Sequence, residues 1–509
     1  MNTSSIVLTT LNARYIHSAF GLRYLKANLG NLSEQCEIFE YNIDSLVEDI
    51  ADKLLARKPK YIGFGVYIWN VVQTEKLVAL IKAIAPDVVL ILGGPEVSYE
   101  YDEQAIVSLA DHVITGWGDI SFRELIEQLE SGQIAAKVTA GKQPKLDQIG
   151  MPYDLYSDDD IKNRVIYVEA SRGCPFKCEF CLSALDKTAW PFDLDEFLEQ
   201  MDVLYQRGAR HFKFVDRTFN LKIKSSLRIM AFFLERLSDD LFLHFEVVPD
   251  HLPDALKEMI QRFPKGVLQF EIGIQTFNPT VQGAISRRQD NEKAKENLRW
   301  IRQQSEAYIH ADLIFGLPGE SIQSFSESFN TLVALEPHEV QVGILKRLRG
   351  SPIIRHTQTH DLVFNPNPPY SIVSSDELTF HDVQAVNRFA RYWDMIANSG
   401  KFPNLLPLIL GHYGEQTHLY RRFAVICDGL FERTQQTHKI SLIRLYDLLF
   451  TIVTEDLGED SNIVRTAIAD DYVLSGLKSI PKALRGEKLK KMQNKTSHYA
   501  YKSRQSRRL

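Results

Sequence analysis

Cysteine is scarce, at five in 509 residues, too few for the framework of a disulfide-stapled secreted scaffold. No apolar run approaches the ~18 residues needed to span a bilayer. The opening stretch MNTSSIVLTTLNARYIH lacks the basic start and long apolar segment of a secretory signal. A cytoplasmic protein without membrane attachment is expected. Positive charge is not in excess either. The formal net charge of −6 gives no global attraction to nucleic acid or anionic lipid. Basic character is local: beyond Pro481 the one acid, Glu487, stands among many Lys and Arg, with His498, Tyr499 and Tyr501 between them. Residues 481–509 read as a disordered, solubilising tail. RNA binding by that tail is the alternative.

The length exceeds what one core supports and predicts about two to four domains. Over residues 1–135, short apolar runs (SSIVLTTL, CEIFEYNI, YIGFGVYI, VVLILGG, HVITGWG) alternate with helix-patterned stretches such as VVQTEKLVALIKAIAP. This is the pattern of a doubly wound parallel sheet, an α/β fold whose ligands bind at the carboxyl ends of the strands. Residues 136–163 are polar and turn-rich and read as a linker. From 164 to 360 the alternation resumes with RVIYVEA, HFKFVD, LFLHFEVV, GVLQFEIGIQ, AYIHADLIFG and EVQVGIL. Six β/α units with right-handed crossovers predict a partial (β/α)6 barrel. Residues 361–480 lose the β signal and read as an α-helical domain.

Three of the five cysteines, Cys174, Cys178 and Cys181, fall in one loop, EASRGCPFKCEFC, right after the first barrel strand. In a reducing compartment such clustering points to metal or redox chemistry. Structural zinc and electron-transfer clusters want four ligands, so three suggest a site with an open coordination position. A zinc site completed by a distant His is the alternative. Cys36 and Cys427 stand alone among apolar residues and read as core thiols.

The spacing C-x3-C-x2-C, with Phe180 before the last cysteine, resembles the signature of the radical S-adenosylmethionine (SAM) enzymes. The resemblance implies a [4Fe–4S] cluster on the three cysteines, with SAM chelated at the open iron and cleaved to a 5′-deoxyadenosyl radical. It also implies a flavodoxin- or ferredoxin-type electron donor. Strand ends that would contact SAM are matched by FVDRTFN (Asp216, Arg217, Asn220), by FEIGIQTFNP (Glu271, Gly273, Gln275) and by HADLIFGLPGE (Asp312, with Gly316, Pro318 and Gly319 forming a tight turn). Alternation places Glu271, Gly273 and Gln275 on one, inward face; an internal polar network is the other reading. Lys346 and Arg347 suit an anion or a solvated edge. His356 and His360, spaced i, i+4 in HTQTH, read as a solvated pair rather than a metal site.

A doubly wound domain ahead of such a barrel resembles the cobalamin-binding subfamily of these enzymes. The first loop and the C-terminal helices resemble a bacterial subgroup with an uncharacterised C-terminal domain. The resemblance implies cobalamin, held by Tyr15, Tyr67, Trp69 and the Gly93–Gly94 turn, with GWGD (116–119) a weaker candidate. The axial motif D-x-H-x-x-G is absent; His17, in YIHSAFG, is the candidate axial ligand. The expected activity is methyl transfer to an unactivated carbon or phosphorus centre of an unknown substrate: one SAM methylates cobalamin and a second generates the substrate radical. The rivals are a radical SAM enzyme acting on tRNA or doing non-methyl chemistry, and a non-catalytic carrier or sensor. Cys36 alone does not supply the second cysteine trio that a methylthiotransferase uses.

Overall fold

In a computed structural model, which describes residues 5–186, 188–411 and 418–486, the two β/α runs become two six-stranded parallel sheets. The first contains β1 (Ile6–Asn12), β2 (Cys36–Asn42), β3 (Tyr61–Gly65), β4 (Val89–Gly93), β5 (His112–Gly116) and β6 (Val138–Gly141), in the order β2-β1-β3-β4-β5-β6. All seven residues of β1 are buried, because helices cover both faces. Chain direction across the sheet reverses between β1 and β3, the switch point where such sheets open a crevice. β6 is a departure from the expected linker. Residues 138–141 pair with β5 in parallel, completing the edge of the sheet. Their short VTAG pattern is only partly buried, so it carries no apolar signal.

The second half of that segment is not a slack linker either. Helix Asp158–Asn163 begins with a capping box at Ser157 and docks on the first domain. There Glu40 is a hub, accepting from Asn12 Nδ2 (2.7 Å), the Ala19 amide (2.6 Å), Arg23 (2.7 Å) and Arg164 (3.0 Å). Arg23 also reaches Asp160 at 2.8 Å. Every charge in this buried network has a partner, as burial requires.

The second sheet runs β7 (Ile166–Val168), then, past the short ribbon of β8 (Ser171–Arg172) and β9 (Trp190–Pro191), β10 (His211–Phe214), β11 (Phe242–Val247), β12 (Leu268–Gln275), β13 (Tyr308–Phe315) and β14 (Glu339–Ile344). Each strand pairs in parallel with the one before it, and β7 and β14 are the edges. This is the expected partial barrel. Along β12, buried and half-buried residues alternate: Leu268, Phe270, Ile272 and Ile274 face the helices, and Gln269, Glu271, Gly273 and Gln275 face inward.

After the barrel a two-stranded ribbon, β15 (Val363–Phe364) and β16 (Ile372–Ser374), interrupts the region expected to be wholly helical. Helices Phe380–Ile396, Leu405–Leu410, Leu419–Thr434, Leu442–Thr451 and Ser461–Ser475 follow. They share one continuous apolar core with the barrel. Phe329, on barrel helix Ile322–Val333, meets Phe389 at 5.0 Å and Trp393 at 4.8 Å between ring centres. The start of the expected tail is ordered: Leu484 is buried, and the Ala483 amide donates to Asp447. Residues 487–509, with His498, Tyr499 and Tyr501, lie outside the described residues. No described helix is long and apolar enough to cross a membrane. Cys36 and Cys427 are buried core thiols, and burial pushes the Cys36 thiol up to about 12.

Candidate functional site

The three clustered cysteines face one cavity of about 260 Å³ at the carboxyl ends of the barrel strands. Phe180 shares its wall with Arg217, Glu271, Gly273, Gln275 and Asp312, so five of the seven expected SAM-contacting residues are brought together there. The thiols of Cys174 and Cys178 are raised by burial; around Cys178 the Arg287 cation opposes that rise. Arg287 Nη1 donates to Cys178 Sγ at 3.6 Å, and its Nη2 donates to the Gly273 carbonyl.

Several features of this wall ask for a ligand. Gln275 Oε1 is buried without a hydrogen-bond partner, a costly state for an amide. Its backbone is left-handed (φ 69°) beside a register shift in β12, a strained conformation of the kind that collects at binding sites. A Cβ at Gly273 would run into the Gln275 amide. Three thiols on one wall, a cation against one of them and an orphaned amide opposite fit an iron–sulfur cluster with a polar ligand beside it.

Two expected contacts go elsewhere. Asp216 turns back onto the cysteine loop, accepting from Ser171 Oγ (2.6 Å) and the Ala170 amide (3.0 Å), and burial raises its carboxyl to about 7. Asn220 ties the next loop together, donating to the Val248 and His251 carbonyls and accepting from the Val248 amide. Both are loop braces, although Arg217 and Thr218 of the same segment do face the cavity. Of that trio only Arg217 lines it, paired with Glu246 at 3.0 Å.

Below this cavity the barrel interior stays charged. A second cavity of about 320 Å³ at the amino ends of the strands shares Glu271 with the first. Glu271 accepts from His244 Nε2 at 2.8 Å, with Lys213 at 3.3 Å. Burial works against its charge, but these partners outweigh it, so Glu271 is ionised and neutral His244 donates to it; burial lowers His244 to about 4. His310 lies 3.0 Å from Asp312 and 3.1 Å from Glu339. Burial disfavours its charge, yet the two carboxylates raise it to about 9. His17 belongs to this lower cavity, its Nδ1 2.7 Å from Tyr167 OH. The first loop is pinned there by a parallel bridge from His17 to Val165, so His17 does not reach the interdomain cavity where an axial ligand belongs.

That interdomain cavity, about 340 Å³, opens at the switch point of the first sheet. Tyr67, Gly93 and Gly94 line it, as expected. Trp69 stacks on Tyr67 at 4.5 Å from behind, and Tyr15 lies outside, bonded to Asp159. Gly94 is required by the fold (φ 109°), since a Cβ there would strike the Val66 carbonyl oxygen at 2.5 Å. Gly116 differs: a Cβ there would meet nothing within 4 Å. The GWGD turn supplies Trp117, Gly118 and Asp119. A glycine-lined apolar cleft at strand ends lets a large planar ligand lie against backbone; these residues fit a corrin, with no histidine or cysteine among the lining residues.

The sequence reading missed charged groups on the walls of the two cavities. Arg172, two residues before Cys174, closes the interdomain cavity. It donates to both Asp119 oxygens (3.0 Å each) and to Glu169 (2.6 Å), and it lies over the Tyr24 and Trp117 rings at 4.6 and 4.8 Å. Arg287 and Arg288 also line the cysteine cavity. Their one sequence signal is the basic pair in ISRRQD. The HTQTH histidines are not a solvated pair. His356 meets the Glu179 carboxylate at 2.8 Å and His360 meets Asp376 at 3.1 Å. Arg347 is paired with Glu100 at 2.7 Å, while Lys346 is exposed.

Comparison with known proteins matches the two sheet domains. Residues 6–126 match the B12 binding domain, residues 168–332 the radical SAM superfamily and residues 358–509 a protein family of unknown function, DUF4080. The uncharacterized methyltransferase PH0819 of Pyrococcus horikoshii is 26% identical over 215 residues, 37% of this chain and 47% of its own. The cobalamin-dependent radical SAM methyltransferase TokK of Streptomyces tokunonensis is 23% identical over 341 residues, 59% of this chain and 49% of its own. The chain thus spans about half the length of these curated relatives. The solved structure of the cobalamin-dependent SAM radical enzyme OxsB, with aqua-cobalamin and SAM bound, shares the fold: TM-score 0.62, 13% identity, 92% of this chain and 79% of that one. The chain thus joins a B12 binding domain to a radical SAM domain, and these two domains imply a [4Fe–4S] cluster, SAM and cobalamin as cofactors.

Proposed function

We propose that this protein is a methyltransferase that methylates an unactivated carbon or phosphorus centre of a polar substrate. The observation that carries the reading is the two-residue separation of the cavities: Arg172 walls the interdomain cavity and Cys174 the cysteine cavity. When bound, the cluster with SAM supplies a carbon radical for hydrogen abstraction, and cobalamin supplies the methyl group.

The chain's own residues do the rest. Cys174, Cys178 and Cys181 hold the cluster and leave one iron open. Phe180 lines the same cavity and packs on the apolar cluster of Val281, Ile285 and Leu317. The amide of Gln275 and the carboxylates of Glu271 and Asp312 face the ligand space, where they orient the amino end of SAM or a polar substrate group. Arg172 fixes the wall between the cavities with Asp119 and Glu169 and keeps bulk water out of the interdomain cavity, holding the reacting centres in line. The charged inner wall from Glu271 down to Glu339 suits a substrate rich in hydrogen-bonding groups better than an apolar chain.

The test is anaerobic purification, cluster reconstitution, incubation with hydroxocobalamin and desalting. About one corrinoid per chain, together with 5′-deoxyadenosine formation from SAM, supports methyl transfer. Substrate screens then look for the mass of one added CH2. An intact cluster with no retained corrinoid would sink the methyl-transfer reading and turn the search to other adenosyl-radical chemistry.

A further inference from the structure

Glu179 stands between the second and third cysteines, and its carboxylate points into the protein with 4% of its side chain exposed. Both oxygens are engaged. Oε1 accepts from Ser286 Oγ and from Arg355, and Oε2 meets His356 Nε2 at 2.8 Å, a hydrogen bond when His356 carries its proton on Nε2. The backbone of the same residue is held as well. Its amide donates to the Ile285 carbonyl (3.1 Å), and its carbonyl accepts from the Ile353 amide (3.0 Å). Two distant segments therefore converge on one residue of the cysteine loop. One follows β12 and carries Arg287, which touches Cys178 Sγ. The other is the turn Pro352–His356, which leads into the C-terminal region. From His356 the contacts continue: the His360 amide donates to the His356 carbonyl, and His360 pairs with Asp376, whose amide donates back to the His360 carbonyl.

A carboxyl group is costly to bury without partners, and this one lies in a loop whose own chemistry needs only thiols. Three side chains from two segments offset that cost, and two backbone hydrogen bonds fix the loop between Cys178 and Cys181. A cluster held by three protein bonds depends on those bonds being placed together, and groups behind metal ligands commonly govern retention.

We infer that Glu179 and His356 are positioning residues that clamp the cysteine loop onto the start of the C-terminal region and so control retention of the iron–sulfur cluster. The inference rests on the cluster assigned above. The experiment uses the full chain, reconstituted without oxygen, as wild type, Glu179→Ala, His356→Ala and His356→Gln. Iron per chain, the rate of iron release to a chelator, and the electron paramagnetic resonance spectrum of the reduced cluster with and without SAM are measured. Retained corrinoid and the melting temperature monitor the fold. Glu179→Ala and His356→Ala should release iron about tenfold faster or more, with corrinoid retention unchanged. His356→Gln, whose amide N–H reaches the same oxygen, should recover much of the wild-type rate and spectrum. Iron release at the wild-type rate in both alanine variants overturns the clamp and leaves the proposed function standing. If Glu179→Ala fails to retain corrinoid because it misfolds, the contrast between His356→Ala and His356→Gln decides: equal release rates overturn the clamp. A wild-type chain that holds no iron overturns the clamp and the proposed function together.

Discussion

The interdomain cavity and the barrel interior both lie at parallel strands, yet they are built from opposite materials. The first is mainly apolar, floored by glycines at the strand ends, with charge only where Arg172 meets Asp119 and Glu169. Strands of the doubly wound sheet are covered on both faces, as the fully buried β1 shows, so only their carboxyl ends are free to meet a ligand. The barrel sheet curls. Its inner face is free along the whole strand, and β12, β13 and β11 spend it on Glu271, His310, Asp312 and His244. One region binds by shape and the other by charge. Arg172, two residues before Cys174, brings charge to the edge of the apolar cavity, with its ion pairs turned to Asp119 and Glu169 and its faces to aromatic rings.

The difference can be broken from either side. Cys178→Ala should have the largest effect: iron falls from about four per chain to near none, and 5′-deoxyadenosine formation stops, while corrinoid is still retained. Gly93→Leu attacks the other cavity. A Cβ there meets only the Ile114 carbonyl at an ordinary 3.8 Å, so the fold accepts the side chain while the ligand space does not. Corrinoid retention should be lost with iron content unchanged. If both cofactors left together in either variant, the cavities would not be separate sites.

Arg172→Ala should affect the fold and the interdomain cavity together. It leaves Asp119 and Glu169 buried without their shared cation, and removing one member of a buried charge group costs about 3–5 kcal/mol. Chemical denaturation should show that loss, with weaker corrinoid retention.

What the sequence disclosed follows the same division. The cysteine spacing is local, and the period-two pattern of FEIGIQ placed Glu271, Gly273 and Gln275 on one wall correctly. Asp216 and Asn220 were misplaced, because nearness to a strand end does not say which way a loop turns its side chains. Arg172 and Asp119 stand 53 residues apart, and Glu179 and His356 stand 177 apart. No periodicity links such pairs; the fold does. β6 escaped notice because an edge strand of four partly exposed residues has nothing apolar to repeat.

Charge in the barrel should also appear as a pH dependence. His310 is raised from 6.5 to about 9 between Asp312 and Glu339. A histidine raised on folding stabilises fully below its unfolded value, and the contribution is lost as pH rises through the folded one. Stability should therefore fall between about pH 6.5 and 9, by roughly 3 kcal/mol if the whole shift is expressed. His310→Gln should flatten that alkaline limb. Denaturant midpoints at several pH values decide it. An unchanged alkaline limb would mean that the pair of carboxylates does not hold a proton on His310.

The smallest effect is expected at His17, and it sharpens the comparison most directly. Its imidazole is bonded to Tyr167 OH at the amino ends of the barrel strands, and the interdomain cavity is lined by other residues. His17→Ala removes one part-buried hydrogen bond, worth about 1 kcal/mol; the loop keeps the backbone pairing of residues 16 and 165 and the bond from Ser18 to the Val165 carbonyl. Bound cobalamin should keep its absorbance spectrum, and reduced cobalamin its paramagnetic resonance, because this ring lines the lower barrel cavity and not the interdomain one. A spectrum that changed on losing His17 would place an imidazole on cobalt and require the first loop to leave the barrel when cobalamin binds.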